Sequence, residues 1–349
     1  MPRIADLVAK PAWLLHEMDI GADRIVFLPV ARHVLERANF LDGRMEIAVG
    51  EPVVLSVKEA LALKLSAPTE PDRFIFHVSF CGSTLLTRML ERPGRVLALR
   101  EPHGLVGLAD WQAKHARRRD QRVPRLADFA RASLRPRWRR SERVIVKHTN
   151  WVNNLLPALC VADVRPLFIG IAPRTFLRAV FRGNRDRVAY TMLAARHFAA
   201  ALPADTALLA AAVRDLPDPL DQAAAMTLVA LHLQLRAFHA AMAAGGWGPE
   251  HVISYERIVS APLETAQAVS HALDLGLTGN EIAESIARNA DRDAKLAGHS
   301  FSAEGQDGVN HAIEYAHGRH FDAAMAWAAV TVPGWSTGAP DTASRSAAG

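Results

Sequence analysis

The sequence predicts an α/β fold, a three-layer sandwich with a central parallel sheet flanked by helices and preceded by an N-terminal extension. Two observations carry this expectation. From Arg73 onward, short apolar runs alternate with longer helical stretches, the order that builds a parallel sheet through crossover helices. Runs such as FIFHV and PLFIGI stay apolar at consecutive positions, as strands covered on both faces do. With 349 residues, half of them apolar and 22% charged, the chain has the composition of a protein with a large core.

Residues 1–70 read as a mostly helical preface with candidate strands at 25–30 and 52–57. The sheet strands are expected at 74–79, 96–99, 143–147, 165–171 and 251–254. The Ala- and Leu-rich segment 221–244, closed by Gly245 and Gly246, is the longest expected helix. Two more follow at 262–275 and 278–290, the second opened by Thr278 with Glu281 three residues on, the pattern of a capping box. The tail 336–349 is small and polar and is expected to be disordered. No apolar run reaches the roughly 18 residues of a spanning helix, and acids and a proline interrupt the N-terminus, so no membrane partner and a cytoplasmic location are expected. Cys81 and Cys160 lack CxxC spacing and suggest neither a disulfide framework nor a structural zinc.

The net charge is +5, and between Arg117 and Arg143 eleven arginines stand against Asp120, Asp128 and Glu142. Such a segment attracts anions or forms a solvated helical face, and composition does not separate the two. Only Phe129 and Trp138 interleave with these arginines and no nucleic-acid-binding signature occurs, so no nucleic-acid partner is expected.

The most informative stretch is FIFHVSFCGSTLLTRML, residues 74–90: an apolar strand, a turn through Gly82, hydroxyls at Ser83 and Thr84, then a helix. A glycine lets backbone N–H groups converge at a helix N-terminus, and two hydroxyls add donors, so this pattern suits a phosphate-like anion. The plain alternative is that Ser83 and Thr84 cap a helix. A nucleotide kinase loop would carry G-x-x-x-x-G-K-[ST], and no lysine precedes Ser83 here.

The shorter loop resembles the 5′-phosphosulfate loop of sulfotransferases that use 3′-phosphoadenosine 5′-phosphosulfate (PAPS), enzymes of P-loop type. Three later segments agree in order and spacing over residues 73–275: LREP at 99–102, VIVKHT at 144–149 with the family's Thr-His pair reversed, and VISYERIVSAP at 252–262. The segment IAPRTFLRAVFRGNRDR at 171–187 stands where the family holds the 3′-phosphate but matches its arginine–serine spacing in neither register. The resemblance implies a sulfotransferase-like domain over residues 71–335. It implies that Cys81, Gly82, Ser83, Thr84 and Leu85 bind the 5′-phosphate, that Tyr255 lies near the adenine, and that Arg174 and Arg182 hold the 3′-phosphate. Arg178 shares their helix face. Lys147 would face the transferring group, with Glu101 and His148 competing as general base. The implied reaction moves a sulfonate from PAPS, without a metal, to a hydroxyl or amine of a small-molecule acceptor; a homodimer is compatible with this. The chain departs from the family at Phe80, where a basic residue is usual, and Lys147, Arg88 or an arginine of 117–143 would have to supply that charge. A nucleotide- or anion-binding protein without turnover, and a small-molecule kinase with an atypical phosphate loop, are the alternatives.

Three other features have plainer readings. Cys81 with His77 or His148 has the residue types of a nucleophilic pair, against a buried packing cysteine. His77 within its strand reads as a core histidine. His311, His317 and His320 match no zinc spacing.

Overall fold

The computed structural model describes residues 2–116, 118, 120–289 and 303–338. The N-terminal part runs α1 (Ile4–Ala9), β1 (Trp13–Asp19), β2 (Arg24–Pro29), α2 (Arg32–Arg37), β3 (Val53–Leu55) and α3 (Val57–Ala62). The strands form an antiparallel sheet in the order β1-β2-β3. The expectation of a mostly helical preface is therefore corrected: the missed strand β1 carries a register shift between Leu15 and Glu17, and such a bulge interrupts the alternation that marks a strand. α3 opens on a capping box in which Ser56 accepts from Glu59 N–H while the Glu59 carboxylate accepts from Ser56 N–H.

The second part begins β4 (Asp72–His77), α4 (Ser83–Leu90), β5 (Val96–Arg100), α5 (Val106–Lys114), α6 (Arg122–Leu134), β6 (Arg143–Lys147), α7 (Leu156–Leu159), β7 (Val164–Gly170) and α8 (Pro173–Phe181). It continues α9 (Asn184–Ala199), α10 (Pro203–Asp215), α11 (Pro219–Gly245), β8 (Val252–Ser254), α12 (Tyr255–Ser260), α13 (Pro262–Ala272), α14 (Gly279–Asn289) and α15 (Ala303–Thr331). The five strands β4 to β8 form one parallel sheet, flanked by helices, in the order β5-β6-β4-β7-β8. All six residues of central β4 are buried, which explains the apolar run Phe74–Phe76 at its centre. The chain leaves β4 toward β5 and later crosses back from β6 to β7, so the loop after β4 sits at a switch point on the carboxyl edge of the sheet, where open α/β sheets bind ligands.

One buried apolar cluster runs from Leu7 and Phe27 through Phe76 and Leu167 to Phe321, joining both sheets. α11 starts where the Asp218 side chain accepts from Leu220 N–H and ends at Gly246 with φ +65. α14 keeps the expected Thr278–Glu281 capping box. The 29-residue α15, absent from the expectation, packs on α11 and α8. Of the tail expected to be disordered, residues 339–349 lie outside the described residues, as do Arg117 and Arg119 of the arginine-rich segment. Four of the described arginines there, Arg131, Arg135, Arg137 and Arg143, serve an internal ion network. Buried Asp72 takes Arg131 and bidentate Arg135, Glu70 takes Arg137 and Arg143, and fully buried Glu142 takes Arg32.

Candidate functional site

At the carboxyl edge of β4 the backbone leaves the common regions three times within four residues: Ser79 has φ +69, Phe80 +49 and Gly82 +73. Non-glycine residues in this region cost free energy and gather where a site needs a particular backbone path. Ser79 N–H donates to His77 Nδ1 at 3.0 Å, so the proton of the neutral ring is on Nε2, and that atom lies 3.7 Å from Glu101 Oε1. Gly82 stands at the N-terminus of α4, and a Cβ there would lie 3.0 Å from the Tyr255 ring. Ser83 and Thr84 open the helix and are buried, and Thr87 behind them donates to the carbonyls of both. The hydroxyls are thus not used as a conventional helix cap, because the capping position is Gly82 itself.

β5 and β6 end beside this loop. Lys147 is fully buried; its ammonium donates to Thr84 Oγ1 at 3.0 Å and to Glu101 Oε1 at 2.5 Å. Glu101 has φ +55, and its N–H donates to the Lys147 carbonyl at 2.6 Å. Residues from β4, α4, β5 and β6 therefore meet in one cluster of His77, Thr84, Glu101 and Lys147.

His148, expected as a rival base, is corrected by the register. Ile75 pairs with Lys147 and Phe74 with Val146, so Lys147 and its neighbour lie on opposite faces of the sheet. His148 stacks on Phe76 and meets the edge of Phe74, and burial pushes its pKa down to about 3. Neither ring nitrogen has a hydrogen-bond partner among the described residues.

Arg174 is likewise differently engaged from the expectation. Each of its three guanidinium nitrogens donates to a carboxylate of α15, two to Glu314 and one to Asp322. Arg178 lies 3.4 Å from Glu314, while Arg182 at the end of α8 is exposed. Burial raises the Tyr255 phenol, and the nearby Arg182 and Arg178 charges act against that rise. Tyr255, Gly82 and Arg182 thus form one neighbourhood. Glu256, next to Tyr255, accepts from Ala172 N–H and fixes this corner to the start of α8. Leu85 is half-buried behind the loop, and Cys81 is fully buried with its thiol 3.7 Å from the Ile169 carbonyl, the packing role rather than a nucleophile.

No family model, curated protein or solved structure matches this chain.

The N-terminal part reaches the same site, which the sequence reading missed. Phe40 lies 5.3 Å from the Lys147 ammonium and 4.1 Å from the Arg44 guanidinium, and Asn39 accepts from Arg88 at 2.7 Å. Leu41 and residues 100–103 exchange backbone hydrogen bonds, clamping this segment to the end of β5. The Asp42 hydrogen bond raises the Arg44 guanidinium, and the Glu101 charge adds to it. The local signal was the Asp-Gly turn at 42–43, where Gly43 has φ +87. Arg187 stands 5.0 Å over the Phe80 ring, so a cation lies beside the loop. Tyr190 joins from the other side: its hydroxyl donates to Asn150 at 2.5 Å, and burial together with the Glu101 charge raises its pKa. Among the described residues no helix is long and apolar enough to cross a membrane.

Proposed function

We propose that this chain moves a sulfonate group from PAPS to the hydroxyl or amine of a small-molecule acceptor. The observation that carries the reading is the double contact of Lys147 Nζ with Thr84 Oγ1 and Glu101 Oε1, which joins an anion-cradling loop, a buried cation and a carboxylate. The surrounding residues fit the donor. The amides that follow Gly82 and the hydroxyls of Ser83 and Thr84 suit its 5′-phosphate at the start of α4. Tyr255 offers a ring beside Gly82 for the adenine, and Arg182 with Arg178 offers guanidinium groups for the 3′-phosphate.

In the transfer, the acceptor oxygen or nitrogen bonds to sulfur while the bridging S–O bond of the donor breaks. Glu101 takes the acceptor proton, and the Lys147 ammonium meets the charge that grows on the departing phosphate oxygen. Both groups are shielded from bulk water, where such charge stabilisation is strongest: the Lys147 side chain is fully buried and that of Glu101 is 15% exposed. Arg44 and Arg187 add positive field around the loop.

Thermal-shift titration with 3′-phosphoadenosine 5′-phosphate, AMP and ADP tests the donor. The 3′-phosphorylated ligand should stabilise most, and equal responses would overturn the assignment. Binding without sulfonate transfer across an acceptor panel would leave an anion-binding protein, and Mg²⁺-dependent consumption of ATP would make it a kinase.

A further inference from the structure

A cleft of about 570 Å³ opens at the other edge of the parallel sheet, where β4 and β6 begin. It is bounded by the 63–74 segment, the end of α6 and the 135–140 loop, and it lies roughly 20 Å along β4 from the anion-cradling loop. Its volume falls within the span of small-molecule sites, about 300–1,000 Å³. The floor is apolar: half-buried Val8, Leu63, Leu65 and Val144 line it, backed by the buried Phe74, Leu134 and Val146.

The cations around this floor divide into two sets. Arg73, Arg131, Arg135 and Arg137 are committed to Glu70, Asp72, Asp163 and Asp274. Lys64, Arg139 and Arg140 are exposed, line the same cleft, and have no salt-bridge partner among the described residues. The surplus charge is thus at the rim and the apolar surface is inside.

We propose that this cleft binds an amphipathic anion, with one alkyl chain on the floor of Val8, Leu63, Leu65 and Val144 and a carboxylate, sulfate or phosphate head at Lys64, Arg139 and Arg140. An apolar floor gives nothing to a small hydrophilic anion, and a cationic rim repels a cationic amphiphile, so the two features together select the class. This site is independent of the transferase reading, since the loop lies at the far edge of the sheet.

Calorimetric titration with dodecanoate below its micellar concentration tests it, with acetate and dodecyltrimethylammonium as comparisons. One dodecanoate per chain should bind, and the other two should not. The Lys64→Glu/Arg140→Glu double variant, changed only at exposed positions, should weaken dodecanoate at least ten-fold. It should keep the native circular dichroism spectrum and the response to 3′-phosphoadenosine 5′-phosphate. Ala132→Trp, which fills the cleft, should weaken dodecanoate without a charge change. Equal binding of the cationic amphiphile, or unchanged affinity in the double variant, overturns the proposal. Co-sedimentation with anionic phospholipid vesicles without binding of free dodecanoate overturns it in favour of a membrane surface.

Discussion

The Lys147 ammonium and the Glu101 carboxylate meet at 2.5 Å, and the two residues are joined a second time by the 2.6 Å bond from Glu101 N–H to the Lys147 carbonyl. Neighbouring strand ends are thereby fixed to each other through both backbone and side chain. His77 Nε2 approaches the same carboxylate oxygen at 3.7 Å, and its ring is oriented by Ser79 N–H. A carboxylate oriented from two sides suits proton abstraction, which is sensitive to position.

Glu101→Gln retains the shape of the side chain and removes its ability to take a proton. Turnover on any accepted substrate should fall by about a hundred-fold, within the usual range for losing a general base. Affinity for 3′-phosphoadenosine 5′-phosphate, measured by calorimetry, should not change. Full turnover in this variant would remove Glu101 from the chemistry.

Lys147→Met replaces the buried ammonium with an apolar chain of similar length. Its proposed work is on charge that develops during transfer, so kcat should fall much more than donor affinity. An equal loss in both would make Lys147 a ground-state phosphate ligand instead.

Gly82→Ala tests the loop. A non-glycine residue at φ +73 costs roughly 1–2 kcal/mol, and the new methyl would sit 3.0 Å from the Tyr255 ring. The urea midpoint should drop by a corresponding amount while the unfolding remains cooperative, and affinity for 3′-phosphoadenosine 5′-phosphate should fall at least ten-fold. A folded variant with wild-type affinity would show that the loop does not cradle the nucleotide.

His148 makes a prediction about pH. The unfolded chain takes up a proton there below about 6.5, whereas the folded ring stays neutral down to about 3. Its contribution to stability is therefore complete above about 6.5 and is lost as the pH falls through that window, by about 1.4 kcal/mol per unit. His148→Phe removes the titrating group and two unpartnered nitrogens from between Phe74 and Phe76. Between pH 7 and pH 5 the wild type should lose about 2 kcal/mol more than this variant in urea unfolding. Parallel losses would mean that the ring is not held neutral.

The parallel sheet was legible because strands buried on both faces leave unbroken apolar runs, as in FIFHV and PLFIGI. The loop was legible because Gly82 must take a positive φ at a strand-to-helix turn. What could not be read was tertiary. Whether position 147 or 148 faces the loop is set by the register of β4 against β6, and side chains alternate with a period of 2. The contribution of Phe40 and Arg44 depends on Leu41 binding the end of β5, a long-range contact that the local Asp42-Gly43 signal does not specify. The excess of arginines suggested an outward basic surface, but Arg131, Arg135, Arg137 and Arg143 neutralise Glu70 and Asp72 within the fold.

The arginines of α8 provide the sharpest test of ligand identity. Arg174 donates from all three nitrogens to Glu314 and Asp322, whereas Arg182 is exposed and its charge reaches Tyr255 beside Gly82. Hydrogen bonds to a charged group contribute roughly 1.5–3 kcal/mol, so Arg182→Ala should weaken 3′-phosphoadenosine 5′-phosphate at least ten-fold and leave AMP unchanged. Arg174→Ala should spare both nucleotides and instead loosen α15, at a cost of about 0.5–1 kcal/mol because the pair is 40% exposed on the arginine side. Calorimetry with the two nucleotides and thermal unfolding separate these outcomes. If Arg174→Ala is the variant that loses 3′-phosphate selectivity, α15 must release that side chain when the nucleotide binds. If neither variant does, α8 does not recognise the 3′-phosphate and the donor assignment fails with it.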